Sequence, residues 1–314
     1  GSMEEKSNRN VEQAKVQEKQ QVVDAEPRVA AINSVPHMDE NGNENLAAEH
    51  DRNTMEENDY DYPSTLQEEL NEVLEAVYAL ISEETIQSYQ KYLEEIEKQR
   101  IAEQAAKALS PAPGFELVDQ DSEKVSLAEL CQKGPVILQF YRGKWCPHCN
   151  AGLMAYNKYL QAIKENGATL VAISPMLPDG SQFLASKRDL HFPVVSDCGN
   201  EVARKYNVTF VVPETIRPTF ESWGHDVAAA NGDDMWEVPL AATYIINQKQ
   251  QIVWSFVDND HGCWAEPSDV VKALEDLAGC NGTNTNSATR GKGRVKAQKP
   301  TKSFFGPKKQ SAGR

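Results

Sequence analysis

The chain has 314 residues, 40% of them hydrophobic and 25% charged, with a formal net charge of −15. That length suits one folded domain of about 200 residues with extensions. The acidic balance argues against unaided nucleic-acid binding by the folded part, six cysteines are too few for a secreted disulfide scaffold, and no apolar run approaches the ~20 residues of a membrane span.

Charge is unevenly spread. Residues 1–63 hold 15 acidic and 6 basic side chains, whereas residues 281–314 hold 9 basic and none acidic. The stretch between them therefore carries −15. Gly1-Ser2 before Met3 reads as a remnant of expression, and no charged-then-apolar leader follows. With so few cysteines the expected compartment is reducing, cytoplasmic or nuclear.

Residues 1–63 are rich in Glu, Gln, Asn and Asp without a sustained apolar period, the composition of a disordered acidic tail. Residues 64–110 read as a pair of helices. Ser64-Thr65-Leu66-Gln67 is a capping-box pattern, and Leu66, Leu70, Val73, Leu74, Val77, Leu80 and Ile81 share one face. Ser82 starts the second helix, with Ile86, Tyr89, Leu93 and Ile96 along it and Ala108 near its end, before Pro111 and Pro113. The pair reads as a packing or homodimerisation element, and nothing in it suggests catalysis.

Residues 111–280 alternate strands with helices. Strands are expected at 115–118, 136–142, 169–173 and 193–195, and helices at 126–130, 181–190 and 201–206. An irregular stretch fills 209–238, followed by strands 241–247 and 251–257 and a helix 268–278. This alternation implies an α/β domain with a central mixed sheet flanked by helices. Residues 281–314 read as a disordered basic tail.

The chemistry lies in Phe140-Tyr141-Arg142-Gly143-Lys144-Trp145-Cys146-Pro147-His148-Cys149, between a strand and a helix. A Cys-x-x-Cys there is a thioredoxin-type redox arrangement. At a helix N-terminus, backbone N–H groups and the helix dipole stabilise a thiolate. Cys146 is assigned as the nucleophile and Cys149 as the buried resolving thiol. Pro147 suits the first helical position. A protonated His148, with Arg142 and Lys144, would add positive charge, and Trp145 would shield the site. Zinc ligation and inert thiols compete with this reading, but a zinc site would want a second pair of ligands nearby. Cys131, Cys198, Cys263 and Cys280 stand singly, and His191, His225 and His261 are isolated. Cys131 reads as a core residue, and Cys263 is the alternative resolving partner.

These residues resemble the peroxiredoxin-like branch of the alkyl hydroperoxide reductase/thiol-specific antioxidant (AhpC/TSA) family. The resemblance also rests on Leu170-Val171-Ala172-Ile173-Ser174-Pro175, Phe192-Pro193-Val194-Val195-Ser196-Asp197 with Gly199-Asn200, Asn231-Gly232-Asp233-Asp234 with Trp236, and Ala242-Thr243-Tyr244-Ile245-Ile246. It runs from about residue 66 to 278. It implies a thioredoxin-like fold, reduction of peroxides or disulfides, an external thiol reductant (thioredoxin-like or glutathione), and no metal or organic cofactor. Two departures stand out. The family keeps Thr or Ser three residues before the peroxidatic cysteine; here that residue is Gly143. Relatives carry Pro-Ala-Thr-Tyr at the loop facing the cysteines; here Ala241 and Ala242 precede Thr243. Trp145, Pro147, Ala241 and Ala242 are the expected substrate-docking residues. A non-proline cis bond costs about 3 kcal/mol, so Ala241 is expected to be trans.

Gln298, Thr301, Phe304 and Phe305 in the basic tail resemble a sliding-clamp (PCNA) interaction box. In such a motif a disordered peptide anchors through a few buried aromatics. Flanking lysines would steer it to an acidic partner. The two function classes are thus a thiol oxidoreductase and an interaction protein recruited through its tail.

Overall fold

In a computed structural model, residues 65–282 are described; the expected tail 1–63, and all but the first two residues of the expected tail 281–314, with the clamp motif, lie outside them. In chain order the elements are α1 (Leu66–Tyr78), α2 (Glu83–Gln99), α3 (Ile101–Gln104), β1 (Glu116–Val118), β2 (Lys124–Ser126), α4 (Leu127–Lys133), β3 (Val136–Phe140), α5 (Pro147–Lys158), α6 (Leu160–Glu165) and β4 (Thr169–Ser174). They continue with α7 (Pro178–Lys187), β5 (Val194–Ser196), α8 (Glu201–Lys205), β6 (Thr209–Val211), α9 (Arg217–Ser222), α10 (Val227–Asn231), β7 (Glu237–Pro239), β8 (Ala242–Ile246), β9 (Ile252–Val257) and α11 (Pro267–Gly282). The last helix extends two residues into the segment expected to be disordered.

The main sheet has the order β5-β4-β3-β8-β9. β3 runs parallel to β4 and antiparallel to β8, and β8 pairs antiparallel with β9. β3 is thus the middle strand, buried on both faces, which is why its sequence is a continuous apolar run rather than an alternation. Ile137, Leu170, Ala172 and Ile245 face one core with α1, α5 and α11. Val136, Leu138, Phe140, Val171 and Tyr244 face the other, with α4 and α8. Gln139 is the polar residue in the strand. It is satisfied within the sheet, accepting from the Thr243 hydroxyl at 2.6 Å and donating to the Phe140 carbonyl at 2.9 Å. This central mixed sheet between helical layers is the thioredoxin-like fold.

The leading helices join these cores. Leu66, Leu70 and Val73 are buried in the cluster that holds Cys146 and Cys149, each such side chain contributing about 1.5–3 kcal/mol. The capping box is shifted one residue from the expected one: Thr65 accepts from the Glu68 N–H, and Glu68 accepts in return from the Thr65 N–H. The second helix also differs. It stops at Gln99 because Arg100 adopts a left-handed conformation, φ 52°. Its buried face holds Tyr89 and Ile96 from the expected line, with Tyr92 in place of Leu93, which is half-buried. The stretch expected to be irregular, 209–238, contains β6, α9, α10 and β7. Its Phe210, Phe220, Trp223, Trp236 and Val238 build a third core against α2. Short elements without their own period hide in sequence; this one is legible only once its partner helix is known.

Candidate active site

The end of β3 sets the site. Tyr141 is fully buried and donates its N–H to the Ile173 carbonyl at 3.1 Å. The chain then turns, with the Cys146 N–H donating to the Gly143 carbonyl at 3.2 Å. The Asn150 side chain donates to the Lys144 carbonyl at 2.9 Å, and the Lys144 N–H to Met176 Sδ at 3.1 Å. Cys146 is the N-cap of α5, with Pro147 as the first helical residue. Its Sγ accepts the Cys149 N–H at 3.3 Å.

Arg142 donates Nη2–H to Cys146 Sγ at 3.0 Å and Nη1–H to the Tyr92 hydroxyl at 3.4 Å. Its side chain is buried, 3% exposed, and is in no carboxylate ion pair among the described residues. The Cys146 thiolate is therefore the anion that compensates it. Burial pushes the Cys146 thiol up. The hydrogen bond from the Cys149 thiol, the Arg142 charge and the Cys149 N–H outweigh burial and bring it down to about 6. Cys149 moves the other way. Burial, then its hydrogen bond to Cys146 and the charge there, hold it protonated. The two thiols therefore differ in acidity, Cys146 favouring the thiolate and Cys149 the thiol.

His148 does not supply positive charge. Burial first, and then Arg142, push it down to about 3, so it is neutral near pH 7. The Lys144 ammonium lies over the Phe183 ring, 4.7 Å from its centre. Trp145 packs against the guanidinium: Arg142 stacks on its ring at 5.1 Å, and Phe220 and His225 lie 5.8 and 5.3 Å from it. Pro147 is partly exposed. Ala241 and Ala242, 2% and 0% exposed, present no surface for docking, and no described peptide bond is cis.

Gly143 has a structural cause. Its φ is 149°, and a Cβ there would lie 2.7 Å from Trp145 Nε1 and 3.4 Å from Met176 Cγ. The space that a Thr side chain would need is occupied by the indole.

Several residues around the thiolate were not foreseen. His225 and His261, isolated in sequence, gather with His148 near Arg142. Burial, then Arg142, push His225 to about 3 and His261 well below its usual value. A guanidinium amid these rings disfavours a cation, and no metal-holding cluster occurs among the described residues. His261 Nε2 is hydrogen-bonded to the Tyr89 hydroxyl. Tyr89 and Tyr92 are three apart in a charged helix, a spacing that puts both rings on one face; this was the available signal. Cys131 is a core residue, raised to about 11 by burial. Cys263 is half-buried, in a loop whose Gly262 approaches the His148 ring. Cys149 is hydrogen-bonded to Cys146 Sγ through its N–H.

A small cavity of about 30 Å³ is walled by Leu74, Val77 and Tyr89 on one side and by Arg142, Trp145, Pro147, His148, Phe220, Trp223 and His225 on the other. Roughly 10–15 Å³ is needed per water, so its enclosed part suits a small molecule. Cys146, 0% exposed, lies behind Arg142, whose guanidinium is bonded to its sulfur.

Residues 109–255 match the sequence pattern of the AhpC/TSA family. Among curated proteins, the chain is 34% identical over 99 residues to peroxiredoxin Q, chloroplastic, of Gentiana triflora, covering 32% of this chain and 45% of that protein. It is 31% identical over 121 residues to the thiol-disulfide oxidoreductase ResA of Bacillus cereus, covering 38% and 65%. The chain thus spans from about half to under two thirds of the curated relatives' length. Among solved structures it is similar to peroxidoxin BcpB of Mycobacterium tuberculosis (21% identity, TM-score 0.43, covering 55% of this chain and 97% of that one). It is also similar to AhpC of Enterococcus faecalis (15% identity, TM-score 0.45, covering 58% and 98%).

Proposed function

We propose that this protein is a peroxiredoxin-like thiol peroxidase working through a Cys146–Cys149 exchange pair. The observation that carries this is a buried Cys146 sulfur hydrogen-bonded by Arg142, a residue that also walls a small cavity. The Cys146 thiolate attacks one peroxide oxygen; an S–O bond forms, the O–O bond breaks, and the departing hydroxide or alkoxide takes up a proton. Sulfur is oxidised by two electrons to the sulfenic acid. The Cys149 sulfur then displaces water, giving the Cys146–Cys149 disulfide. An external dithiol, thioredoxin-like or two glutathione molecules, returns two electrons and regenerates both thiols. Arg142 Nε and Trp145 Nε1 have no hydrogen-bond partner among the described residues and belong to residues that wall the cavity. Both are N–H donors suited to a peroxide oxygen.

Protein disulfide reduction, the other half of the family resemblance, needs a sulfur that meets another protein's surface, and both sulfurs are fully buried. A small oxidant needs a much smaller opening to reach Cys146 and is the favoured substrate. Intact-mass thiol trapping after one equivalent of hydrogen peroxide tests this. The expected product is the Cys146–Cys149 disulfide. Cys149→Ser should stop at oxidised Cys146, and Cys146→Ser should not react. Equal, small effects of the two changes would overturn the mechanism.

A second reading concerns recruitment. The Gln298, Thr301, Phe304 and Phe305 pattern supports binding of the tail to a PCNA-type clamp, which would place the peroxidase in the nucleus. Full-length chain with Phe304 and Phe305 both changed to Ala should lose clamp binding; unchanged binding would remove the idea.

A further inference from the structure

We propose that the helical pair α1–α2, outside the family-matched segment 109–255, is the substrate filter of the peroxidase: it admits oxidants of hydrogen-peroxide size to Cys146 and excludes bulky organic hydroperoxides. This rests on the peroxidase reading above and names its substrate class.

Three residues of the pair wall the cavity whose other side is formed by Arg142, Trp145, Pro147 and His148, the residues around Cys146 in the chain. Leu74 and Val77 are half-buried and form the rim, and Tyr89 is buried deeper. Without them the opposing wall would stand open to solvent. The wall is also fixed in place. Leu66, Leu70 and Val73 are buried in the core that contains α5. The first two N–H groups of α1, on Leu66 and Gln67, donate to the Glu266 carboxylate at 3.0 and 2.9 Å. The Gln67 side chain donates to the Gly262 carbonyl at 3.1 Å. On α2, Tyr89 meets Trp223 edge-on at 5.5 Å, and Tyr92 meets Phe220 at 5.5 Å. A wall tied at both ends to the domain does not swing aside for a larger substrate, so its shape becomes a selection rule. Steric exclusion costs only the disfavoured substrate, the pattern expected where specificity comes from a clash rather than a new contact.

The test compares oxidation rates of Cys146 by hydrogen peroxide and by cumene hydroperoxide, followed by intact mass, in the full chain. The wild type should react about 100-fold faster with hydrogen peroxide, a discrimination of the size that pocket shape supplies. Leu74→Ala with Val77→Ala should raise the cumene-to-hydrogen-peroxide rate ratio by about 10-fold. The half-buried Val77→Ala alone, a smaller disturbance of the core, should move it in the same direction. A wild-type ratio near one, or variants that fold and leave the ratio unchanged, overturns the filter. A wild type whose Cys146 reacts with neither hydroperoxide overturns the peroxidase reading instead, so the two failures are distinguishable.

Discussion

The two walls of the cavity do opposite things. The segment from Arg142 to Cys149 supplies charge: one buried guanidinium, one lowered thiol and one raised thiol within eight residues. The helical pair supplies shape: two aliphatic side chains and a tyrosine that hold no charge at neutral pH. A hydrogen bond from Arg142 to the Tyr92 hydroxyl links the two. The difference teaches that activation and selection are carried by separate stretches of chain, so each can be damaged while the other persists.

The largest expected effect breaks the charged wall with protons. The Cys146 thiol, ordinarily near 8.5, stands at about 6 in the folded chain. A lowered acid contributes stability that is full above the unfolded value and is lost as pH falls through the folded one. Over pH 8.5 to 6 that is about 3 kcal/mol. The buried histidines act in the same direction below about 6.5, because the unfolded chain takes up their protons first. The melting temperature should therefore rise from pH 5 to pH 8.5, and Cys146→Ala should flatten the upper part of that rise. A flat wild-type profile would contradict the buried thiolate.

Arg142→Met comes next, since it keeps the volume and removes the cation. Returning the thiol to 8.5 or above cuts the thiolate fraction at pH 7 by about 30-fold. Hydrogen peroxide oxidation should slow by that factor, while the ratio between small and bulky hydroperoxides stays set by α1 and α2. A changed ratio at an unchanged thiol titration would mean that the walls are not separable.

Gly143→Thr sharpens the comparison from within the charged wall. It restores the hydroxyl that relatives carry, but the Cβ meets the Trp145 indole. Overpacking of this kind costs about 1–3 kcal/mol, so chemical denaturation should show a less stable protein with no gain in rate. A faster, equally stable variant would refute the steric account of Gly143.

Tyr92→Phe has the smallest expected effect. It deletes the bond between the walls, worth about 1 kcal/mol, and leaves the ring contacts. The thiol titration should move up slightly and the rate fall a few-fold. No change in either would mean that Tyr92 only fills space.

What was legible in the sequence follows the distance over which each contact acts. Cys146 as N-cap, Pro147 after it and Cys149 one turn on are contacts within four residues, and residue type alone fixes them. The continuous apolar run likewise announced a strand at 136–142, but that it is buried on both faces needed the sheet. Tyr92 reaches Arg142 across 50 residues, and Tyr89 reaches His261 across 172. No local pattern encodes such meetings, so an amphipathic helix was legible while its place in the site was not. Gly143 lies between these cases. Its departure from the family was visible, but its cause, a tryptophan ring two residues on, needed the turn. The charge expected on His148 failed for a related reason: spacing shows a titratable group but not how deeply it is buried.

The most direct test of the account is the rate of Cys146 oxidation by hydrogen peroxide as a function of pH, measured in single turnover on the full chain. An Arg142-paired thiolate predicts a rate that rises with a midpoint near pH 6 and is level through pH 7 and above. A midpoint at 8.5 or higher, the behaviour of an ordinary cysteine, would contradict it.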